Sequence, residues 1–191
     1  DSWLQFRENV YIDVDGAHGS INGLQEDRDQ LFAFQAEGIC QLVINPNVQI
    51  TDGIALELGR GGLLHDYQYL TTSSGTINQY SIIKTPYGIM YYDALNAKLN
   101  MLNGNENPIS DIKGMSSYFR TKIDFADIEA DTPNGSKGIV GYYDHETKES
   151  HLSFLQGTDS FEIVYSHLND AFHFLYDFTS NQYINNRNNV Y

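Results

Sequence analysis

The residues that could do chemistry are few and scattered. Asp13-Val14-Asp15-Gly16 is half of a calcium loop, with two carboxylates at alternate positions ahead of a turn glycine. A complete loop needs further oxygen ligands at alternating positions and a bidentate Glu at its end. Here Ala17 and His18 come next and no Glu arrives on schedule. Asp13 and Asp15 are thus the metal candidates of the chain, and a solvated turn closed by Gly16 and Gly19 is the plainer reading. His145 and His151 flank another turn, with Glu146 and Glu149 between them. Cross-strand geometry could bring the two imidazoles together on zinc, although a turn rich in His, Glu and Lys is ordinarily just hydrated. Gly59-Arg60-Gly61-Gly62 invites a phosphate-loop reading, but no Lys-Ser or Lys-Thr pair follows it, so it reads as a connecting loop. Cys40 is the one cysteine, which leaves no disulfide within the chain, and its apolar setting, Ile39-Cys40-Gln41-Leu42, reads as core. There is no Gly-x-Ser-x-Gly elbow and no His-Glu-x-x-His pair. No catalytic residue and no cofactor is predicted.

The elements that would position such residues are strands. The chain has 191 residues, 41% hydrophobic and 13% aromatic, enough for a folded core. Fourteen Tyr and ten Phe against one Trp and four Pro suit half-buried strands better than helices. The net charge of −14 argues against binding to nucleic acid or to anionic lipid, both of which call for a basic surface. It is compatible with a wall past which DNA slides without sticking. No run of about 18 apolar residues exists and the first residues are no signal peptide, so a soluble protein is expected. Because residue 1 is Asp and the last residues, Arg187 to Tyr191, look like the start of another strand, the chain reads as a piece of a longer one.

The clearest pattern is Gly88-Ile89-Met90-Tyr91-Tyr92-Asp93, running on to Gly104, with an echo fifty-one residues later at 138–157. Both copies read as a hairpin, turning at Asp93–Ala97 and at Asp144–Glu149, with Asp93 and Asp144 as turn residues. An echo at that spacing suggests a blade-type β repeat. Further hairpins are predicted at 31–44, where Gly38 would supply a positive φ, and at 161–178. In the latter, Phe172, Phe174, Tyr176 and Phe178 would share one face by the period of two. Val10-Tyr11-Ile12 reads as a strand, 71–81 as a polar loop, and Phe125–Asp131 as an acidic, solvated stretch. A short helix is allowed only between Pro108 and Phe119, capped by Ser110 or Asp111. Thr132-Pro133-Asn134-Gly135-Ser136 is the clearest internal breakpoint in what is otherwise one β-rich domain over 1–191.

Four stretches carry a family likeness: Leu31-Phe32-Ala33-Phe34-Gln35; Gly75-Thr76-Ile77-Asn78 with Ser81-Ile82; Gly88 to Asp93 running on to Gly114-Met115-Ser116-Ser117-Tyr118; and Phe161 to Phe178 followed by Asn181 to Asn186. On these the chain resembles the muzzle, or tail stabilisation, proteins of crAss-like podoviruses, relatives in role of the β-propeller nozzle proteins of other short-tailed phages. The resemblance spans roughly residues 30–190. It brings no functional residues with it, because the family offers no active-site motif to match.

The reading is an all-β fold of antiparallel hairpins and blade-like sheets, propeller-like or a partial propeller, with few or no helices. The function expected from the resemblance is structural, in the virion tail, as part of a barrel or nozzle through which DNA is ejected. Its partners would be other tail proteins and copies of itself in a ring. The alternatives are a carbohydrate-binding, lectin-like module that takes a glycan, and a β-propeller hydrolase, which would need two carboxylates converging in a pocket.

Overall fold

The computed structural model describes residues 11–44, 64–176, 178–183, 185–186 and 189–190. Its body is three antiparallel sheets, each a four-stranded meander taken in sequence order. The first sheet is β1 (Ile21–Asp27), β2 (Gln30–Gln35), β3 (Ile39–Ile44) and β4 (Leu64–Thr71). The middle sheet is β5 (Ile83–Thr85), β6 (Gly88–Asp93), β7 (Lys98–Asn103) and β8 (Asn105–Pro108). Three short helices, α1 (Ile109–Ile112), α2 (Ser116–Lys122) and α3 (Phe125–Ile128), lead to the third sheet. That sheet is β9 (Lys137–Asp144), β10 (Glu149–Gln156), β11 (Phe161–Ser166) and β12 (Ala171–Tyr176). Asn185–Asn186 (β13) and Asn189–Val190 (β14) pair in a small ladder at the end.

The sheets stack face on face, and β6 shows why. All six of its residues are buried, so it reads as a continuous apolar run instead of an alternating one. Met90 and Tyr92 point to the third sheet, where they join Leu152 and Phe154 of β10 and Ile163 of β11. Ile89 and Tyr91 point the other way, to Phe32, Phe34 and Ile39 of the first sheet. The layers meet closely where glycine allows it: a Cβ at Gly141 of β9 would lie 2.5 Å from Ile83 Cδ1 of β5. The helices cap the larger core, burying Ile109, Phe119 and Ile128. The all-β, antiparallel architecture is thus as the sequence suggested.

Several details differ from the sequence reading. The hairpins 88–103 and 137–156 both form, with turns where Asp93 and Asp144 accept hydrogen bonds from the Asn96 and Glu146 amides. They occupy different places, however: β6–β7 are strands two and three of the middle sheet, while β9–β10 are strands one and two of the third. The echo is one of hairpin chemistry, and the sheets themselves begin at Ile21, Ile83 and Lys137 with no fixed period. Gly38 does not have a positive φ; it is needed for space, since a Cβ there would lie 3.0 Å from the Tyr69 ring and 3.1 Å from His18 Cβ. Tyr11 and Ile12 lie outside any strand.

Three further corrections concern the helices and the aromatic stripe. Phe125–Ile128 is helical, because Asp124 caps the Ala126 amide at 3.0 Å and Ile128 buries itself in the core. Ser110 is no cap: it is fully buried and its Oγ accepts from the Leu99 amide of β7. The stripe 172–178 is not one face, because the register shifts between Val164 and Tyr165. Phe172 therefore pairs with Tyr165 and packs on the core, whereas Tyr176 pairs with Glu162 on the opposite side. The 132–136 stretch contains the 3-10 turn Pro133–Gly135 that joins α3 to β9, and one core cluster has members on both sides of it. The sequence readings made for Val10 and for Gly59–Gly62 lie outside the described residues.

Candidate functional site

A dense polar arrangement lies on the face of the third sheet turned away from the middle one. Alternation along β10 sends Leu152 and Phe154 into the core and leaves His151 and Ser153 on that far face; alternation along β11 does the same with Ile163 and Glu162. Ser153 and Glu162 are directly paired across the two strands, and His151 sits on the diagonal. Glu162 is only 3% exposed, and every bond it makes is to a donor. His151 Nδ1 lies 2.8 Å from Oε1, while the Ser153 hydroxyl (2.8 Å) and the Tyr183 hydroxyl (2.7 Å) donate to Oε2. The Ser153 and Tyr183 oxygens are themselves 2.7 Å apart, and the Ser180 amide donates to Ser153 Oγ at 3.2 Å. The His151 ring stacks on Tyr142 at 4.6 Å, and the Tyr183 ring lies 3.9 Å from that of Tyr142.

The electrostatics follow from this geometry. Burial by itself would raise the Glu162 carboxyl, but the hydrogen bonds from His151, Tyr183 and Ser153 outweigh it and hold the group below the usual carboxylate range. Burial pushes the Tyr183 phenol well up, and does the same to Tyr142 with help from the Glu162 charge. With Glu162 ionised, each group facing it must donate, so His151 Nδ1 is the ring nitrogen that carries a proton. Serine, histidine and glutamate suggest a catalytic triad, but the wiring differs. Ser153 gives its proton to Glu162 and has no bond to His151, and Ser153 is fully buried. The arrangement is a clamp that ties β10 and β11 to the 180–183 segment.

A second carboxylate ties three strands of the middle sheet to Ser74, in the connection that arrives from the first sheet. Glu106 Oε1 accepts from Tyr91 at 3.0 Å, from Asn100 Nδ2 at 2.8 Å and from the Ser74 hydroxyl. Nearby Asp93 is almost fully buried, and that burial raises its carboxyl. A third polar group, His167, bridges the middle and third sheets. Its ring stacks on Tyr87 at 4.7 Å, meets Tyr165 and Tyr143 edge-on at 5.0 and 5.3 Å, and has Nε2 2.8 Å from Ser150 Oγ. Burial brings its pKa down to about 4, against a smaller upward pull from Asp170.

The residues singled out in the sequence do not meet. Asp15 uses its carboxylate on the Ala17 amide at 2.9 Å, capping the 3-10 turn Gly16–His18, and Asp13 is exposed beside it. Among the described residues no three His, Cys, Asp or Glu side chains come together as a metal cage. His145 meets Tyr143 edge-on, while His151 serves Glu162. Cys40 is buried in a small cluster with Ala33 and Leu42, where burial raises its thiol pKa. The clamp itself was missed. Its one trace in the sequence is Glu162, a lone acid in the apolar run Phe161–Tyr165; nothing marks Tyr183, which reaches it from twenty-one residues away.

Beside the clamp opens a cleft of about 410 Å³ whose apolar lining is Ile82, Pro133 and Val140. No helix among the described residues is long and apolar enough to cross a membrane. Comparison with known proteins finds a family and a relative. The relative is a muzzle protein of Bacteroides phage crAss001, 26% identical over 156 residues, which is 81% of this chain and 11% of the relative. The chain thus spans about a tenth of the length of the curated relative it matches. The model of the Crassvirus muzzle proteins matches residues 1–191, and this chain belongs to that family.

Proposed function

We propose that this chain is a structural segment of the virion, part of the wall of a tail barrel or nozzle through which the phage DNA leaves. Family membership supports the virion role. The observation that carries the mechanical part is the stack of three four-stranded meanders, with the middle one buried on both faces. Sheets stacked this way extend by adding another sheet, and a ring of four or more closes as a propeller. The role is mechanical, with buried sheets and carboxylate clamps in place of an exposed nucleophile. A charge of −14 on 191 residues would keep DNA from adhering as it passes. The partners are other tail proteins and further copies of the same protein around a ring.

Cryo-electron microscopy of intact virions tests this directly: the three stacked sheets are expected in density at the tail end, repeated around the axis. The full-length protein in solution is expected to form ring-shaped multiples by mass photometry. A protein that stays monomeric at high concentration overturns the ring, and firm retention of duplex DNA at low salt overturns the non-adhesive wall.

A further inference from the structure

The cleft beside the clamp has a lining unlike the rest of the chain. Its volume of about 410 Å³ is in the range of small-molecule sites. It is built from three separate segments: Gln79 and Tyr80 before β5, Asn134 before β9, and Asn181, Gln182 and Tyr183 beyond β12. None of the lining residues is charged, in a chain with 25 acidic and 11 basic residues. A charged ligand would be desolvated there without a counter-charge, which selects a neutral one. Four of the lining residues carry carboxamides, each offering a donor and an acceptor. Such a set matches neighbouring hydroxyls, each of which also donates and accepts. Tyr80, 48% exposed, offers apolar ring surface for a C–H face.

The wall is also preformed. Tyr183 has its hydroxyl bonded to Glu162 and its ring against Tyr142, so its place is set before any ligand arrives. The buried clamp thereby has a use beyond holding strands together. From this combination of no charge, four carboxamides, tyrosine surface and fixed walls, we propose that the cleft binds a neutral saccharide. Tyr80 supplies the stacking face, and Asn134 with the Gln79, Asn181 and Gln182 amides takes the hydroxyls. For a ligand of that size an affinity on the order of 1 mM is expected.

Saturation-transfer NMR on the full-length protein tests it. The probes are glucose, galactose, mannose, fucose, N-acetylglucosamine and lactose, with N-acetylneuraminic acid and a short neutral peptide as contrasts. At least one neutral sugar is expected to bind, and Tyr80→Ala and Asn134→Ala are each expected to weaken it about tenfold or more with the thermal midpoint unchanged. Both residues are exposed, so neither change removes core. The proposal is overturned if no neutral sugar binds at about 10 mM. It is equally overturned if binding is indifferent to both variants, or if only the acidic sugar or the peptide binds. Such a failure leaves the virion role standing, since that reading is tested by imaging and oligomeric state.

Discussion

Tyr91 and Tyr92 are neighbours on β6, both fully buried, and they face opposite ways into very different surroundings. Tyr92 enters a core of fifteen buried residues among those described, with Phe119 and Phe154 edge-on at 5.5 and 5.1 Å. Tyr91 enters one of six, with Phe34 edge-on at 5.3 Å, and its hydroxyl is bonded to Glu106, Ser74 and Asn100. One side of the middle sheet is held by packed rings. The other is held by fewer apolar contacts, with a carboxylate clamp beside them that binds the middle sheet to the Ser74 connection. The lesson is that the middle and third sheets with their helices make one well-packed unit, to which the first sheet is joined by a smaller and more polar contact.

The largest expected effect tests the packed side. Phe154→Ala removes a fully buried ring that touches Tyr92, Phe119 and Phe161, and is expected to cost about 3–5 kcal/mol. Denaturant unfolding should show that loss. Native-state hydrogen exchange should show it in the middle and third sheets together, because they share the core. Loss of protection confined to the third sheet would break the idea that the two form one unit.

On the polar side the sharper probe is Tyr91→Phe, which keeps the ring and deletes the hydroxyl. It leaves the Glu106 carboxylate one donor short in a part-buried place and is expected to cost about 1–3 kcal/mol. Exchange protection should fall in the first sheet and at the Ser74–Thr76 approach to it. The Thr76 amide, which donates to the Gln35 carbonyl at 2.9 Å, is the reporter to follow. A change of under a few tenths of a kcal/mol would mean that the clamp adds nothing net.

How much of this was legible in the sequence divides along the same line. The apolar strands were, because valine, isoleucine and the aromatics at Ile39–Val43, Gly88–Asp93 and Phe161–Tyr165 mark strands whatever they pack against. The turns at Asp93 and Asp144 were also legible, since an Asx turn is local chemistry. What was not legible was everything fixed by distance along the chain. Gly38 reads as a φ glycine until Tyr69 and His18 are seen against it. The aromatic stripe reads as one face until a register shift divides it. The Glu162 clamp draws on β10, β11 and Tyr183, and no local pattern announces such a meeting. Sequence sites such as Asp13 and Asp15 are local by definition, and the structure uses Asp15 locally, as a cap.

The packed side also carries the acid sensitivity, through His167. Its pKa is about 4 in the folded chain against an ordinary value of 6.5, so it is held neutral by burial. The unfolded chain takes up the proton first. Stability from this group is therefore present in full above pH 6.5 and is lost as pH falls towards 4. With the partial exposure of the ring allowed for, about 1–2 kcal/mol is expected to disappear across that window. Asp93, on the side of the first sheet, runs the other way: its raised pKa means that its contribution is present below the ordinary carboxylate value and is lost as pH rises. Denaturant midpoints between pH 4 and 7, with His167→Gln as control, check the sign. A stability that stays flat over that range, or one that falls equally in the variant, would remove His167 as its cause.

The smallest expected effect is the one that discriminates best, because it predicts a reversal of sign between adjacent residues. The Tyr92 hydroxyl is buried and has no hydrogen-bond partner among the described residues, and burial beside Asp93 pushes its phenol far up. The ring fills the core; the oxygen only costs desolvation. Tyr92→Phe keeps the volume and removes the unpaired group, so it is expected to be neutral or to stabilise by up to about 1 kcal/mol. Tyr91→Phe is the same chemical change one residue earlier and should destabilise. Measured in parallel by urea midpoints at pH 7, the pair gives two shifts of opposite sign or one of zero. If Tyr92→Phe instead destabilises as Tyr91→Phe does, the hydroxyl of Tyr92 has a partner, and the two faces of β6 are more alike than their packing implies.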